Sequence, residues 1–96
     1  MRLVVTRKAR TSMRQAIAWY RKEGGAKLAL DVAGAFELAA KAAADNPMSH
    51  SAYEPVPPVR RVVIKRFPYV GFFFNDDNIV FVLDVIHTSQ KPPASF

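Results

Sequence analysis

The stretch "RRVVIKRFPYVGFFF", residues 60–74, carries four cations in its first seven positions and then becomes almost entirely aromatic and aliphatic. Its β-branched and aromatic residues are typical of strands. A strand that served only the core would not carry these cations, and a strand exposed on both faces would not carry the phenylalanines. The stretch therefore predicts strands that contact both a core and a second surface.

Three consecutive strands are predicted around this stretch, at residues 59–66, 67–74 and 79–87. The turn "NDDN" at 75–78 predicts a hairpin between the last two strands. Because proline cannot donate a hydrogen bond to a neighbouring strand, we expect Pro68 at the start of a strand or in a bulge. Near the N-terminus, "RLVV" predicts a further short strand that ends at about Thr6.

Two helices are predicted between the first strand and the other three. Thr6 is a candidate N-cap for the first helix, which continues to about Lys22 and is ended by "EGG". Its apolar stripe is Ala9, Met13, Ala16, Ile17 and Tyr20. The second helix covers about residues 26–44 and ends at "DNP". Its stripe is Ala29, Val32, Ala33, Phe36, Ala40 and Ala43, and its many alanines predict close packing in a helical hairpin.

The order of these elements predicts an α+β fold: an N-terminal strand, an α-helical hairpin and then three antiparallel strands, with both helices packed on one face of the sheet. We expect a single domain over residues 1–96, because a chain of this length has room for one core.

The composition is typical of a globular protein, with 50% apolar and 23% charged residues. The lack of cysteine excludes disulfides, cysteine-ligated zinc and a thiol nucleophile. No apolar run approaches the ~20 residues of a membrane span. The apolar run in the start "MRLVVTRKAR" is too short for a signal peptide. We expect a cytoplasmic protein that enters no membrane and holds no metal or other cofactor.

The net charge of +6 is concentrated near the N-terminus. Residues 1–27 contain eight cations against Glu23 alone, whereas residues 28–58 carry a net charge of −3 and residues 59–96 a net charge of +2. This imbalance favours a polyanionic partner, either a nucleic acid or an acidic protein. The alternative interpretation is a solvated helix face of lysine and arginine.

Strand alternation predicts that one face of the sheet is uncovered. Arg61, Val63 and Lys65 share one face of their strand. The last strand is apolar on both faces, with one set at Ile79, Phe81, Leu83, Val85 and His87 and the other at Val80, Val82, Asp84 and Ile86. Because both helices are expected on the same side, the other face keeps apolar area and cations for a partner. The alternative is that the loop at 48–58 or the C-terminal tail folds back over that face.

Short motifs follow one another along nearly the whole chain: "AR" at 9–10, "AIAWY" at 16–20, "GG" at 24–25, "NP" at 46–47, "VRR" at 59–61, "KRFPYV" at 65–70, "VIH" at 85–87 and "KPP" at 91–93. In this order and spacing the chain resembles the RelE/ParE superfamily of bacterial toxins from type II toxin–antitoxin pairs. The fold of that superfamily agrees with the one predicted above.

The resemblance implies a small basic toxin that a cognate antitoxin holds inactive by wrapping it with a helix or an added strand. It implies DNA gyrase as the target for ParE-like members and messenger RNA on the ribosome for RelE-like members. It is also compatible with a homodimer of this chain. The candidate antitoxin contacts on the uncovered face are Val63, Val80, Val82 and Ile86. The candidate contacts to a target or to phosphate are Arg60, Arg61, Lys65, Arg66, Tyr69 and Lys91.

Two departures from the RelE-like pattern favour the ParE-like branch. Val70 follows Tyr69 where RelE-like members carry an arginine, and Gln90 stands where many carry another. We therefore expect an inhibitor of gyrase that is not a ribonuclease. The alternatives are a ribosome-dependent endoribonuclease and a non-toxic binding domain of the same fold.

The endoribonuclease alternative needs a general base, cations for the developing phosphorane charge and a general acid. Its candidate catalytic residues are His87, Lys65 and Arg61. The imidazole of His87 is the side chain most suited to proton transfer near neutral pH. The other interpretation of His87 is a strand-end residue that is hydrogen-bonded to the backbone.

Overall fold

The sheet brings the two ends of the chain together. The computed structural model, which describes residues 1–96, has the elements β1 (Arg2–Val5), α1 (Arg7–Asp45), a 3-10 turn (Pro47–Ser49), β2 (Arg60–Val63), β3 (Tyr69–Asp76) and β4 (Ile79–His87). The strand order is β1-β4-β3-β2. The last three strands are antiparallel, as predicted. Strand β1 lies parallel to β4, so the sheet as a whole is mixed.

Helix α1 turns back on itself at Gly25. Its N-terminus is capped by Thr6, whose Oγ1 accepts a hydrogen bond of 3.2 Å from the N–H of Ala9. Gly25 has a φ of 88°, in the left-handed region that glycine enters without strain. The two arms, residues 7–24 and 26–45, lie against each other, since Ala9 and Ala40 share one apolar cluster. The predicted helical hairpin is confirmed. No helix combines the length and the hydropathy needed to cross a membrane.

The main core lies between the two arms of α1 and one face of the sheet. Ala43 and Ala44 contact Phe73 and Val80 in this core, and Phe73 and Val80 are fully buried. Small alanine side chains allow the helix backbone to approach the sheet closely, so that the larger residues of β3 and β4 are covered. Complete burial of one such large apolar side chain stabilises the fold by roughly 1.5–3 kcal/mol.

A β-bulge in β4 changes which of its side chains face the helices. The pairing of β3 with β4 shifts by one residue between Phe72 and Phe73, which leaves Leu83 without a partner. Such an extra residue reverses the alternation of the strand beyond it. Val82 before the bulge and Val85 after it therefore both pack in clusters with α1. The single alternation expected along this strand is wrong.

The opposite face of the sheet is covered in part by the chain itself, around Phe72. Tyr53 and Val59, from the loop after α1, pack on Phe72. The hydroxyl of Tyr53 donates a hydrogen bond to the carbonyl oxygen of Pro93, which holds the tail against the loop. Phe96 then packs on Phe72, with ring centroids 5.2 Å apart. The expectation of a wholly uncovered face is therefore wrong, because the loop and the tail cover Phe72, whereas Phe74 and Phe81 on the same face are half-buried.

These findings correct the predicted antitoxin contacts. Val80 and Val82 are only 0% and 5% exposed beneath α1, so they are not available to a partner of the folded chain, and both assignments are wrong. Ile86 packs against the cluster around Tyr53. Val63, at 67% exposure, is the one predicted antitoxin contact that is fully on the surface.

Candidate partner-binding groove

A groove of about 960 Å³ lies between the second arm of α1 and the edge strand β2. The helix wall is built from residues spaced four apart, which share one face of a helix: Leu30, Gly34, Leu38 and Ala42. The opposite wall is formed by residues 61–63 together with Lys65 and Arg66. Residues 49–51, at the end of the 3-10 turn, also line the groove.

The walls of this groove expose large apolar side chains. Leu30 and Leu38 are each 71% exposed, and Val63 on the opposite wall is 67% exposed. Between the two leucines, a Cβ atom added to Gly34 would meet nothing within 4 Å, so the floor of the groove is open there. Apolar side chains gathered in one concave surface are typical of a binding site.

The charge of the groove is positive. Arg61, Lys65 and Arg66 line it together with a single acid, Asp31. The Asp31 carboxylate lies 3.2 Å from the ammonium of Lys27 and 3.9 Å from the guanidinium of Arg66. Neither Arg61 nor Lys65 forms an ion pair, so both cations are free for an anionic partner.

The groove also borders an unpaired stretch of strand edge. The N–H of Arg61 donates a 2.9 Å hydrogen bond to the carbonyl oxygen of Ser51, on the side of β2 that faces away from β3. Residues two apart on a strand direct their backbone groups to the same side. The N–H and C=O of Val63 therefore face outward at the groove, beyond the point where the loop pairs with β2.

A second, smaller cleft lies between the first arm of α1 and the end of β4. It has a volume of about 370 Å³, and Trp19, Tyr69, His87, Gln90 and Lys91 are among its lining residues. At its edge the buried carboxylate of Asp84 accepts a 2.6 Å hydrogen bond from the Ser12 hydroxyl.

The predicted target contacts do not form one site. Arg61, Lys65 and Arg66 lie in the groove, whereas Tyr69 and Lys91 lie in the second cleft. The guanidinium of Arg60 donates a 2.7 Å hydrogen bond to the carbonyl oxygen of His50, so this cation holds the loop after α1.

His87 is bonded as a strand-end residue. Its Nδ1 accepts a 3.0 Å hydrogen bond from the N–H of Ser89, which places the proton of the neutral imidazole on Nε2. Its own N–H donates a 2.9 Å hydrogen bond to Oε1 of Gln90. Arg61 and Lys65 line the groove, whereas His87 lines the second cleft, and β3 lies between β4 and β2, the strand that ends just before Lys65. The three candidate catalytic residues are thus not brought together.

The sequence analysis did not identify the helix wall of the groove, which includes Leu30, Gly34 and Leu38. These residues lie outside the apolar stripe by which the second arm packs on the core. The available signal was the four-residue spacing of two leucines and a glycine outside that stripe, where a solvated helix normally carries polar residues.

Tyr69 gives the fold a specific response to alkaline pH. Burial, with a smaller contribution from neighbouring Tyr20, raises the pKa of the Tyr69 phenol above its ordinary value of 10.0. Above about pH 10 the folded chain therefore keeps a phenolic proton that the unfolded chain loses, so the free energy of unfolding falls as the pH rises.

We expect the variant Tyr69→Phe to lose less stability than the original chain between about pH 9 and pH 11. Urea unfolding followed by circular dichroism measures this difference. The comparison removes the common contribution of lysine titration, since both proteins carry the same lysines. The same pH dependence in the two proteins would contradict the assignment to Tyr69.

The fold and the groove together define a small, basic α+β domain with a preformed apolar groove on its surface. This chain belongs to the ParE toxin family of the parDE type II toxin–antitoxin systems, because the model of that family matches residues 3–92. The chain also matches a solved structure described as the chromosomal ParDE toxin–antitoxin system from P. aeruginosa, with a TM-score of 0.80 and 22% sequence identity over 91% of this chain and 95% of the other. That likeness confirms the fold. A comparison with curated protein sequences finds no match.

Proposed function

We propose that this chain is the toxin of a two-component pair in the cytoplasm, where a cognate antitoxin holds it inactive. The observation that carries the proposal is the groove, which combines exposed leucines with three cations. An acidic, amphipathic segment of the antitoxin fits this chemistry. The leucines bury its apolar face, and the cations attract its carboxylates and increase the rate of capture.

The shape of the groove favours a helix in that segment, continued by a short strand. Leu30 and Leu38 are about 12 Å apart along the helix axis, which corresponds to roughly two turns of a bound helix. The outward-facing backbone groups of Val63 can accept an extended continuation by β-strand addition. Both modes use surfaces that the isolated chain leaves open.

A binding measurement tests the antitoxin proposal. The protein encoded by the gene adjacent to this one is purified and titrated into the chain in a calorimeter. We expect tight binding that is lost when the C-terminal half of that protein is removed. Binding that persists without the C-terminal half would overturn the assignment of that segment to the groove.

We further propose that the target is DNA gyrase. Membership of the ParE family supports this choice. It is also supported by the separation of His87 from Arg61 and Lys65, since a ribonuclease needs its base and its cations around one phosphate.

A supercoiling assay tests the gyrase proposal. We expect the purified chain to inhibit supercoiling of a relaxed plasmid by gyrase, to increase the amount of cleaved plasmid, and to leave messenger RNA intact in a cell-free protein-synthesis reaction. In cells, induced expression is expected to cause filamentation with DNA damage. Cleaved messenger RNA with normal supercoiling would favour the ribonuclease alternative, and no effect in either assay would favour a non-toxic binding domain.

A further inference from the structure

Arginines line the solvent face of the first arm of α1. Arg7, Arg10, Arg14 and Arg21 are all exposed and are separated by three, four and seven residues. At 3.6 residues per turn this spacing places them on one side of the helix, over a length of about 21 Å. We call these four residues the arginine stripe.

The arginine stripe has no anionic partner within the chain. The four ion pairs of the structure involve Lys8, Lys27, Lys41 and Arg66. Arg10 makes a single long hydrogen bond of 3.4 Å, to the carbonyl oxygen of Val5. Like charges at such spacings on a helix repel one another and destabilise it by a few tenths of a kcal/mol per pair. The stability of the fold therefore does not explain the stripe.

The stripe is separate from the groove, and no exposed large apolar side chain lies within it. No residue of the first arm lines the groove. Thr11 and Ala18 lie among the arginines on the same exposed face, and neither is a large apolar side chain. Protein–protein interfaces are usually anchored by buried aromatic or aliphatic residues. Interfaces with nucleic acids are more polar and more positively charged, and guanidinium groups pair well with phosphates.

We propose that the arginine stripe binds the phosphate backbone of duplex nucleic acid without reading its sequence. A duplex presents about one negative charge per 1.7 Å of its axis, so roughly twelve charges lie along the length of the stripe. Single-stranded nucleic acid is bound mainly through aromatic side chains that stack on its bases. None of these lies within the stripe, because the exposed Trp19 lines the second cleft. Binding through the stripe is independent of both gyrase and the antitoxin.

The test is fluorescence anisotropy of a labelled 30-base-pair DNA duplex of arbitrary sequence, titrated with the purified chain at several salt concentrations. Each phosphate contact contributes about −0.9 to the slope of log K against log salt concentration. We expect a slope between about −3 and −4 for the original chain. The triple variant Arg7→Gln, Arg14→Gln, Arg21→Gln is expected to reduce the steepness by about 2.7 and to weaken binding at least about tenfold at low salt.

A matched control removes the same amount of charge from the groove. The variant Arg61→Gln, Lys65→Gln, Arg66→Gln is expected to keep a slope close to that of the original chain. All six substitutions are at exposed positions, and circular dichroism melting verifies that both variants fold.

Several outcomes would overturn the proposal. Equal losses in the two triple variants would mean that only net charge matters. Tighter binding of a 30-nucleotide single strand than of the duplex would exclude a duplex ligand. Competition by polyglutamate as strong as that by unlabelled duplex would identify an acidic protein as the natural ligand. Absence of binding by the original chain at 50 mM salt, where about four phosphate contacts should be well populated, would exclude nucleic acid.

Discussion

Replacing Gly34 with phenylalanine is expected to weaken binding of the antitoxin to this chain by at least about 30-fold, or ~2 kcal/mol. The physical reason is the position of Gly34 on the floor of the groove, midway between Leu30 and Leu38, where an added Cβ meets nothing within 4 Å apart from the neighbouring helix backbone. A phenyl ring at this position projects into the space that the bound segment needs. Because the ring projects outward, the core and the fold are left intact.

The matched control is Gly34→Ala, at the same position. A methyl group leaves most of the groove open, and alanine stabilises a helix interior by about 1 kcal/mol relative to glycine. We expect this variant to bind the antitoxin nearly as well as the original chain and to melt at a higher temperature. Calorimetric titration measures both affinities. If Gly34→Phe folds and binds like Gly34→Ala, the antitoxin segment does not occupy this groove.

The second large effect concerns stability. Phe73 is 0% exposed and packs against Ala43, Ala44 and Val80. Truncating it to alanine removes most of the side chain and leaves a cavity in the centre of the main core. We expect Phe73→Ala to lower the free energy of unfolding by about 3–5 kcal/mol. Since domains of this size are stable by only about 5–15 kcal/mol, the variant is expected to be marginal, with Tm lower by at least about 12 °C.

The neighbouring residue provides the control for this measurement. Phe74 is the same residue type but only half-buried, and its ring stacks on that of Phe81 at a centroid distance of 5.2 Å. We expect Phe74→Ala to cost less than half as much as Phe73→Ala in urea unfolding. Equal costs for the two variants would show that burial beneath the helices does not dominate the stability of β3.

The elements that the sequence predicts well are those with strong local periodicity. Residue spacing predicts the apolar stripes of the two helical arms. The backbone freedom of glycine predicts the turn between them, which the structure has at Gly25. The hairpin of β3 and β4 follows from the turn residues between them. Local signals of this kind depend only on near neighbours in the chain, which is why the α+β fold could be predicted.

The candidate site depended on features that periodicity does not contain. The bulge opposite Phe72 and Phe73 is a property of two paired strands, and the sequence of β4 alone carries no signal that predicts it. The cover of Phe72 by Tyr53 and Phe96 joins segments that are far apart in the chain and have no regular pattern. The concave apolar surface of the chain is not on that face. It lies at the edge beside β2, where Val63 was placed correctly on the exposed side of its strand.

The last strand to be synthesised, β4, is an interior strand of the sheet. It pairs with β3 on one side and with β1 on the other. The strand partner of Arg2 is Ile79, which is synthesised 77 positions later. On a nascent chain that stops before β4, β1 has no neighbour and β3 keeps an open edge, and unpaired strand edges promote aggregation. If translation stops before β4 is made, the released fragment therefore cannot join β1 to the rest of the sheet.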